Sequence, residues 1–140
     1  VLVCGGLTGV MEAASRGAAE AGGTVLGVLP TLSPADANEF VTHAVATGTG
    51  HARNLAVVAS GEAVIAVGGE WGTLSEIAYA RKLGRPVVAL QSWPLRSRAG
   101  TDLGIAEAET AEQEVKVALS AAVVEKGSDA RTEAADGTLD

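Results

Sequence analysis

The sequence predicts an α/β fold, a doubly wound parallel sheet of Rossmann-like type. Three observations lead there. Short, β-branched apolar runs lack the two-residue period of a half-solvated strand, so they are read as strands buried on both faces. Longer Ala-rich segments alternate with them, as helices do in parallel sheets. Gly-Gly pairs stand where a strand hands over to a helix, at 5–6 and 68–69.

The elements follow in order. Residues 1–4 are a buried strand stopped by Gly5-Gly6, and 8–21 are a helix stopped by Gly22-Gly23. Residues 24–29 are a strand stopped by Pro30, followed by a Pro/Ser/Asp/Asn loop over 31–38. A short strand is expected within 40–47 and a helix over 50–60. Residues 63–67 are a strand ending at Gly68-Gly69, and 73–83 a helix stopped by Gly84. A strand over 86–90 and a final helix over 107–123 complete the set. Residues 125–140 carry two basic against five acidic side chains without periodicity, and 124–140 are expected to form an acidic disordered tail. Doubly wound domains usually place a strand and a helix ahead of the first glycine loop. Here Val1 already lies in the strand, so the chain is expected either to be truncated or to lack that first βα unit.

Composition sets limits on function. The 140 residues are 47% hydrophobic but only 3% aromatic, enough for one core of Ala, Val, Leu and Ile. Mean hydropathy is +0.26, yet no apolar run approaches the roughly 20 residues of a spanning helix. Net charge is −7, which argues against a broad nucleic-acid surface while leaving room for a small anion held by local amides. A single cysteine, Cys4, excludes an internal disulfide and a cysteine metal cluster, and makes the cytoplasm the default compartment. His43 and His51 lack a third donor at ligand spacing, and no resident cofactor or metal is called for.

The two glycine loops carry the chemistry. Gly5-Gly6-Leu7-Thr8-Gly9 and Gly68-Gly69-Glu70-Trp71-Gly72-Thr73 both sit at the carboxyl edge of parallel strands, where α/β proteins bind ligands. Unpaired helix N-terminal amides, close backbone approach at glycine and the Thr8 and Thr73 hydroxyls suit a phosphate; tight turns with no ligand are the plainer alternative. Neither loop is a P-loop or a G-x-G-x-x-G motif. Thr73-Leu74-Ser75-Glu76 reads first as a capping box; the alternative is a Glu76 carboxylate aimed into a cleft for sugar chemistry. Arg53 stands near a helix start, where a cation is unfavourable without an anionic partner, and the alternative is a solvated arginine.

Taken together these pieces resemble the "Lonely guy" (LOG) family of Rossmann-like proteins, long labelled lysine decarboxylases, in a superfamily that includes DprA/Smf. The family's G-G-G-x-x-G-L-M is similar to Cys4-Gly5-Gly6-Leu7-Thr8-Gly9-Val10-Met11, and its G-G-x-V-x-G-I-x-P to Gly22-Gly23-Thr24-Val25-Leu26-Gly27-Val28-Leu29-Pro30. Its P-G-G-x-G-T-x-x-E is similar to Gly68-Gly69-Glu70-Trp71-Gly72-Thr73-Leu74-Ser75-Glu76, and its arginine of an R-K pair falls on Arg53-Asn54. The resemblance covers roughly residues 1–90. Gly68 stands at the family's Pro, Glu70 at its second Gly and Asn54 at its Lys. These departures look closer to a sister group that includes molybdenum cofactor carrier proteins.

The resemblance implies a domain over 1–123 that binds a phosphorylated nucleotide-like ligand through Gly5, Gly6, Thr8, Gly9, Gly69, Gly72 and Thr73. It implies that Arg53 and Glu76, if catalytic, hydrolyse the N-glycosidic bond of a nucleoside 5′-monophosphate. Glu76 would stabilise the oxocarbenium ion, or orient water through the ribose hydroxyls, and Arg53 would balance charge. The sister group implies instead a non-catalytic carrier of a phosphorylated pterin cofactor. A partner-binding remnant is the third reading. A homodimer is expected, with no nucleic-acid or membrane partner.

Overall fold

The computed structural model describes the backbone of residues 1–136 and the side chains of residues 1–123. The fold is α/β with parallel strands, as expected. The chain forms two compact units, Val1–Gly61 and Glu62–Asp140.

In the first unit, strands β1 (Leu2–Cys4), β2 (Val25–Leu29) and β3 (His43–Ala46) pair in parallel in that order. The central strand β2 carries the most continuous apolar run, and Val25, Val28 and Leu29 are buried. The edge strand β3 alternates between exposed and half-buried positions, as a strand with one solvated face does. Helix α1 (Val10–Glu20) follows β1. A 3-10 helix, Gly50–Arg53, runs directly into α2 (Asn54–Ser60). The segment between β2 and β3 holds only a short 3-10 helix, Pro34–Asp36, capped by the Ser33 hydroxyl on the Ala35 amide at 3.2 Å.

In the second unit, β4 (Val64–Val67), β5 (Val87–Leu90) and β6 (Ile105–Ala108) again pair in parallel, with β5 central and the most buried. Helix α3 (Trp71–Lys82) connects β4 to β5, and residues 91–104 lead to β6 without a helix. Helix α4 (Ala111–Asp136) packs on the sheet, where Val88, Ala108 and Ala118 form a buried cluster.

Two expectations are corrected here. The final helix does not begin at 107: Ile105–Ala108 is a strand paired with β5, and the helix starts at Ala111. Ala106, Glu107 and Ala108 favour helix by propensity, but pairing with an already buried strand outweighs a preference of a few tenths of a kcal/mol per residue. The third helix begins at Trp71, two residues before the expected Thr73. The helix α4 backbone extends past Val123 to Asp136. Of the expected tail over 124–140, the side chains and the whole of 137–140 lie outside the described residues. Among the described residues no helix is long and apolar enough to cross a membrane.

Candidate functional site

The first glycine loop leaves β1 at Cys4. Gly6 turns with φ +69°, and a Cβ there would meet Leu29 Cδ2 at 2.8 Å and Gly27 Cα at 3.2 Å, so the loop lies tightly on β2. Its outward carbonyls are tied down by one residue: the Asn38 amide donates to Gly6 O and the Asn38 Nδ2 to Leu7 O, both at 2.8 Å. Cys4, at the family's first glycine, fills a structural role. Its Sγ accepts the Gly6 amide at 3.4 Å and lies 3.5 Å from the Ser15 hydroxyl of α1, which itself donates to Met11 O at 2.7 Å. The thiol is a free, buried cysteine joining strand, loop and helix. The Gly6 amide is therefore engaged inside the protein and does not point at a ligand. Thr8 and Gly9 are exposed, Gly9 with φ +71°. No side chain caps α1 at Gly9. Gly9, Glu12, Ala13 and Arg16 line a hollow of about 240 Å³ at that helix start, and the Glu12 carboxylate already occupies the favourable end of the helix dipole.

Arg53 is the decisive side chain of this unit. It is only 9% exposed, which overturns the alternative of a solvated arginine. Its guanidinium lies over Gly5: a Cβ on Gly5 would fall 2.6 Å from the Arg53 Cζ. Gly5 is thus a glycine because a guanidinium fills the space of its side chain. The 3-10 turn after β3 delivers Arg53 to the carboxyl edge of β1, and the turn is anchored there. Thr47 donates through its amide and its hydroxyl to Leu29 O, at 3.1 and 2.7 Å, and the Gly50 amide donates to Pro30 O at 3.0 Å. Two predicted site residues distant in sequence, Gly5 and Arg53, are brought together. The sequence held no local sign of that contact, nor of Asn38, Thr47 and the Gly50 turn that arrange it.

In the second unit, the loop after β4 turns at Gly68, φ +76°, and Glu70 is the residue preceding α3, with no side-chain cap. The first helical bond runs from the Leu74 amide to Glu70 O at 3.1 Å. This corrects the capping-box reading: Thr73 is the third helical residue rather than the cap, and Glu76 lies in the second turn. Gly72, Thr73 and Glu76 are half-buried at this edge, and Gly69 is exposed. Glu70, the charge most at odds with an anion, is exposed. Trp71 and Trp93, which sequence reasoning passed over, pack here with ring centroids 5.1 Å apart. Among the described residues no group of three His, Cys, Asp or Glu side chains could hold a metal ion.

Glycine loops at the carboxyl edges of parallel strands, one of them under a buried guanidinium, define a Rossmann-like α/β protein. The model of the SLOG cluster4 family matches residues 1–127, and the chain belongs to that family. A curated protein of Archaeoglobus fulgidus, described as uncharacterized, is 48% identical over 91 residues, which cover 65% of this chain. The match spans 60% of that relative's length. Among solved structures, the molybdenum cofactor binding protein of Rippkaea orientalis is 35% identical with a TM-score of 0.74, over 85% of this chain and 76% of that one. The molybdenum cofactor carrier protein of Chlamydomonas reinhardtii is 34% identical with a TM-score of 0.71, over 89% and 77%. The similarity to the sister group of LOG proteins that includes these carriers is thereby shown.

Proposed function

We propose that this chain binds and carries a phosphorylated cofactor-type small molecule of the molybdenum cofactor kind, without hydrolysing it. The observation that carries this reading is the buried Arg53 guanidinium lying over Gly5 at the carboxyl edge of β1. A cation held away from water there interacts with an anionic ligand far more strongly than a solvated one would. In the first unit, Thr8 and Gly9 beside Arg53 are the phosphate-binding residues we assign; in the second unit, Gly69, Gly72 and Thr73 are assigned by themselves as an anion-binding turn. Similarity to two proteins named for the molybdenum cofactor favours carriage over the phosphoribohydrolase reading. Glu76 is kept as a ligand-facing carboxylate in this reading rather than a catalytic one. A homodimer, implied by family resemblance, and a cytoplasmic location, from the single thiol, belong to the same proposal.

The test is binding and turnover on the same sample. Calorimetry with ribose 5-phosphate, AMP and GMP should show saturable binding, and Arg53→Gln should weaken it at least tenfold. Chromatography after prolonged incubation with the monophosphates should show no free base. Release of base, lost in Glu76→Gln, would establish the hydrolase instead. Absence of binding by every phosphorylated compound would leave the partner-binding remnant. Sedimentation velocity reads the oligomeric state.

A further inference from the structure

The chain has two tryptophans, and the fold of the second unit brings both to the carboxyl edge of its sheet. Trp71 opens α3 directly after the glycine loop, and Trp93 follows β5. Their rings are 5.1 Å apart with a 35° angle between planes. Trp93 is held in place: its Nε1 donates to Glu70 O at 3.3 Å, and a Cβ on Gly69 would meet the indole Nε1 and Cε2 at 3.8 and 3.9 Å. Gly69 and Glu70 thus pack against the N–H edge of Trp93. Trp71 is 74% exposed. An indole left largely in water contributes little to a core, and a first-turn position gives it no helix-forming advantage.

Trp93 also forms part of the wall of an open cavity of about 490 Å³, lined from residues 91–104 and the ends of β5 and β6, with Gln91, Ser92, Arg96 and Asp102 among its lining. That volume lies in the range of small-molecule sites, about 300–1,000 Å³. Long connections without secondary structure, such as this one, are uncommon in compact domains and are typically either functional loops or linkers. The Ser92 hydroxyl in that wall is buried and has no hydrogen-bond partner.

We propose that the Trp71–Trp93 pair is a stacking platform for a planar fused-ring nitrogen heterocycle, a purine or a pterin. The proposal rests on the function proposed above and assigns a ring-binding place within the second unit, beside that unit's own glycine turn at Gly69, Gly72 and Thr73. Trp71 offers the open face. Trp93 backs it and fixes its angle, so little side-chain entropy is lost when a ring settles on it.

The experiment uses the intact chain and four probes: AMP, GMP, unphosphorylated pterin and ribose 5-phosphate. Tryptophan fluorescence, excited selectively over the single tyrosine, Tyr79, reports on this pair, with calorimetry as the independent measure of affinity. A ring-bearing probe should quench the fluorescence saturably, and ribose 5-phosphate should not. Saturation by the monophosphates identifies a purine, and by pterin a pterin. Trp71→Ala should weaken the ring-bearing probe about tenfold, the usual scale of base–aromatic stacking. It should leave the affinity for ribose 5-phosphate unchanged, and Trp71→Phe should restore most of the loss. Wild-type affinity for ring-bearing probes in Trp71→Ala, or no saturable quenching by any of them, overturns the platform even if ribose 5-phosphate binds. Saturable quenching by pterin with no binding of ribose 5-phosphate supports the platform while the phosphate reading fails.

Discussion

Glu114 is a carboxyl buried where ionisation is costly. It stands on α4, 2% exposed, on the same face as the buried Ala118, and its Oε1 has no hydrogen-bond partner. Desolvation raises its pKa from 4.5 to about 7. The folded state therefore holds a proton that the unfolded chain has already released, and this group's contribution to stability falls as pH rises from about 4.5 to about 7. Beyond that window it is flat. The shift corresponds to about 3 kcal/mol. Denaturant unfolding of wild type and Glu114→Gln between pH 4 and pH 8 should show the variant gaining on the wild type by roughly that amount across the window. A constant difference would show that the carboxyl ionises normally in the fold. Gly5 makes a second residue-scale prediction. The three atoms nearest to a Cβ there all belong to the far end of the Arg53 side chain, which can swing aside. Gly5→Ala should therefore fold, lose about 1 kcal/mol or less in thermal melts, and reproduce the affinity loss of Arg53→Gln. Unchanged ligand affinity in a folded Gly5→Ala protein would detach Arg53 from the site.

Among the elements, the starts of α3 and α4 show how a correct motif was assigned to the wrong helix. The pattern Ser/Thr-x-x-Glu/Gln occurs at Thr73–Glu76 and again at Thr110–Gln113. Only the second caps. The Gln113 amide donates to Thr110 Oγ1 at 3.2 Å, and Gln113 Oε1 accepts the Glu109 amide at 3.0 Å. The strength of β6 hid this box, because Glu107, Ala108 and Glu109 read as helix already under way, and a cap cannot sit inside a helix. The first box failed for the opposite reason: Glu70 and Trp71 enter α3 before Thr73 is reached. Thr110→Ala should lower stability by about 1 kcal/mol. Thr73→Ala, which removes no cap, should cost clearly less in the same thermal melts while weakening phosphate binding. Equal losses of stability would put a cap at both sites. The strands themselves were legible where burial is two-sided, as in Val25–Leu29 and Val87–Leu90. Edge strands β3 and β6 were blurred because half their side chains face water and mix with polar residues. Of the site, the glycine turns were legible because glycine has one local use there. The Arg53–Gly5 contact and the tryptophan pair were not, since each is made by residues far apart in sequence.

At the scale of the molecule, a net charge of −7 faces an anionic ligand. Long-range repulsion slows the approach of a phosphate, and salt screens it within about 10 Å at 0.1 M. The contact that holds the ligand in the proposed site is of another kind. Arg53 is buried, and charges held out of water are screened far less than exposed ones. Salt then acts mainly on the encounter and hardly on the bound state. Stopped-flow measurements with a phosphorylated ligand should show association quickening between 20 and 300 mM salt while dissociation changes little, so affinity stays level or rises. Proteins that grip phosphate with exposed lysines and arginines behave the other way and lose affinity steeply. A steep fall here would move the ligand from Arg53 to exposed cations such as Arg16, Arg96 or Arg98. The glycine loops would then be plain turns.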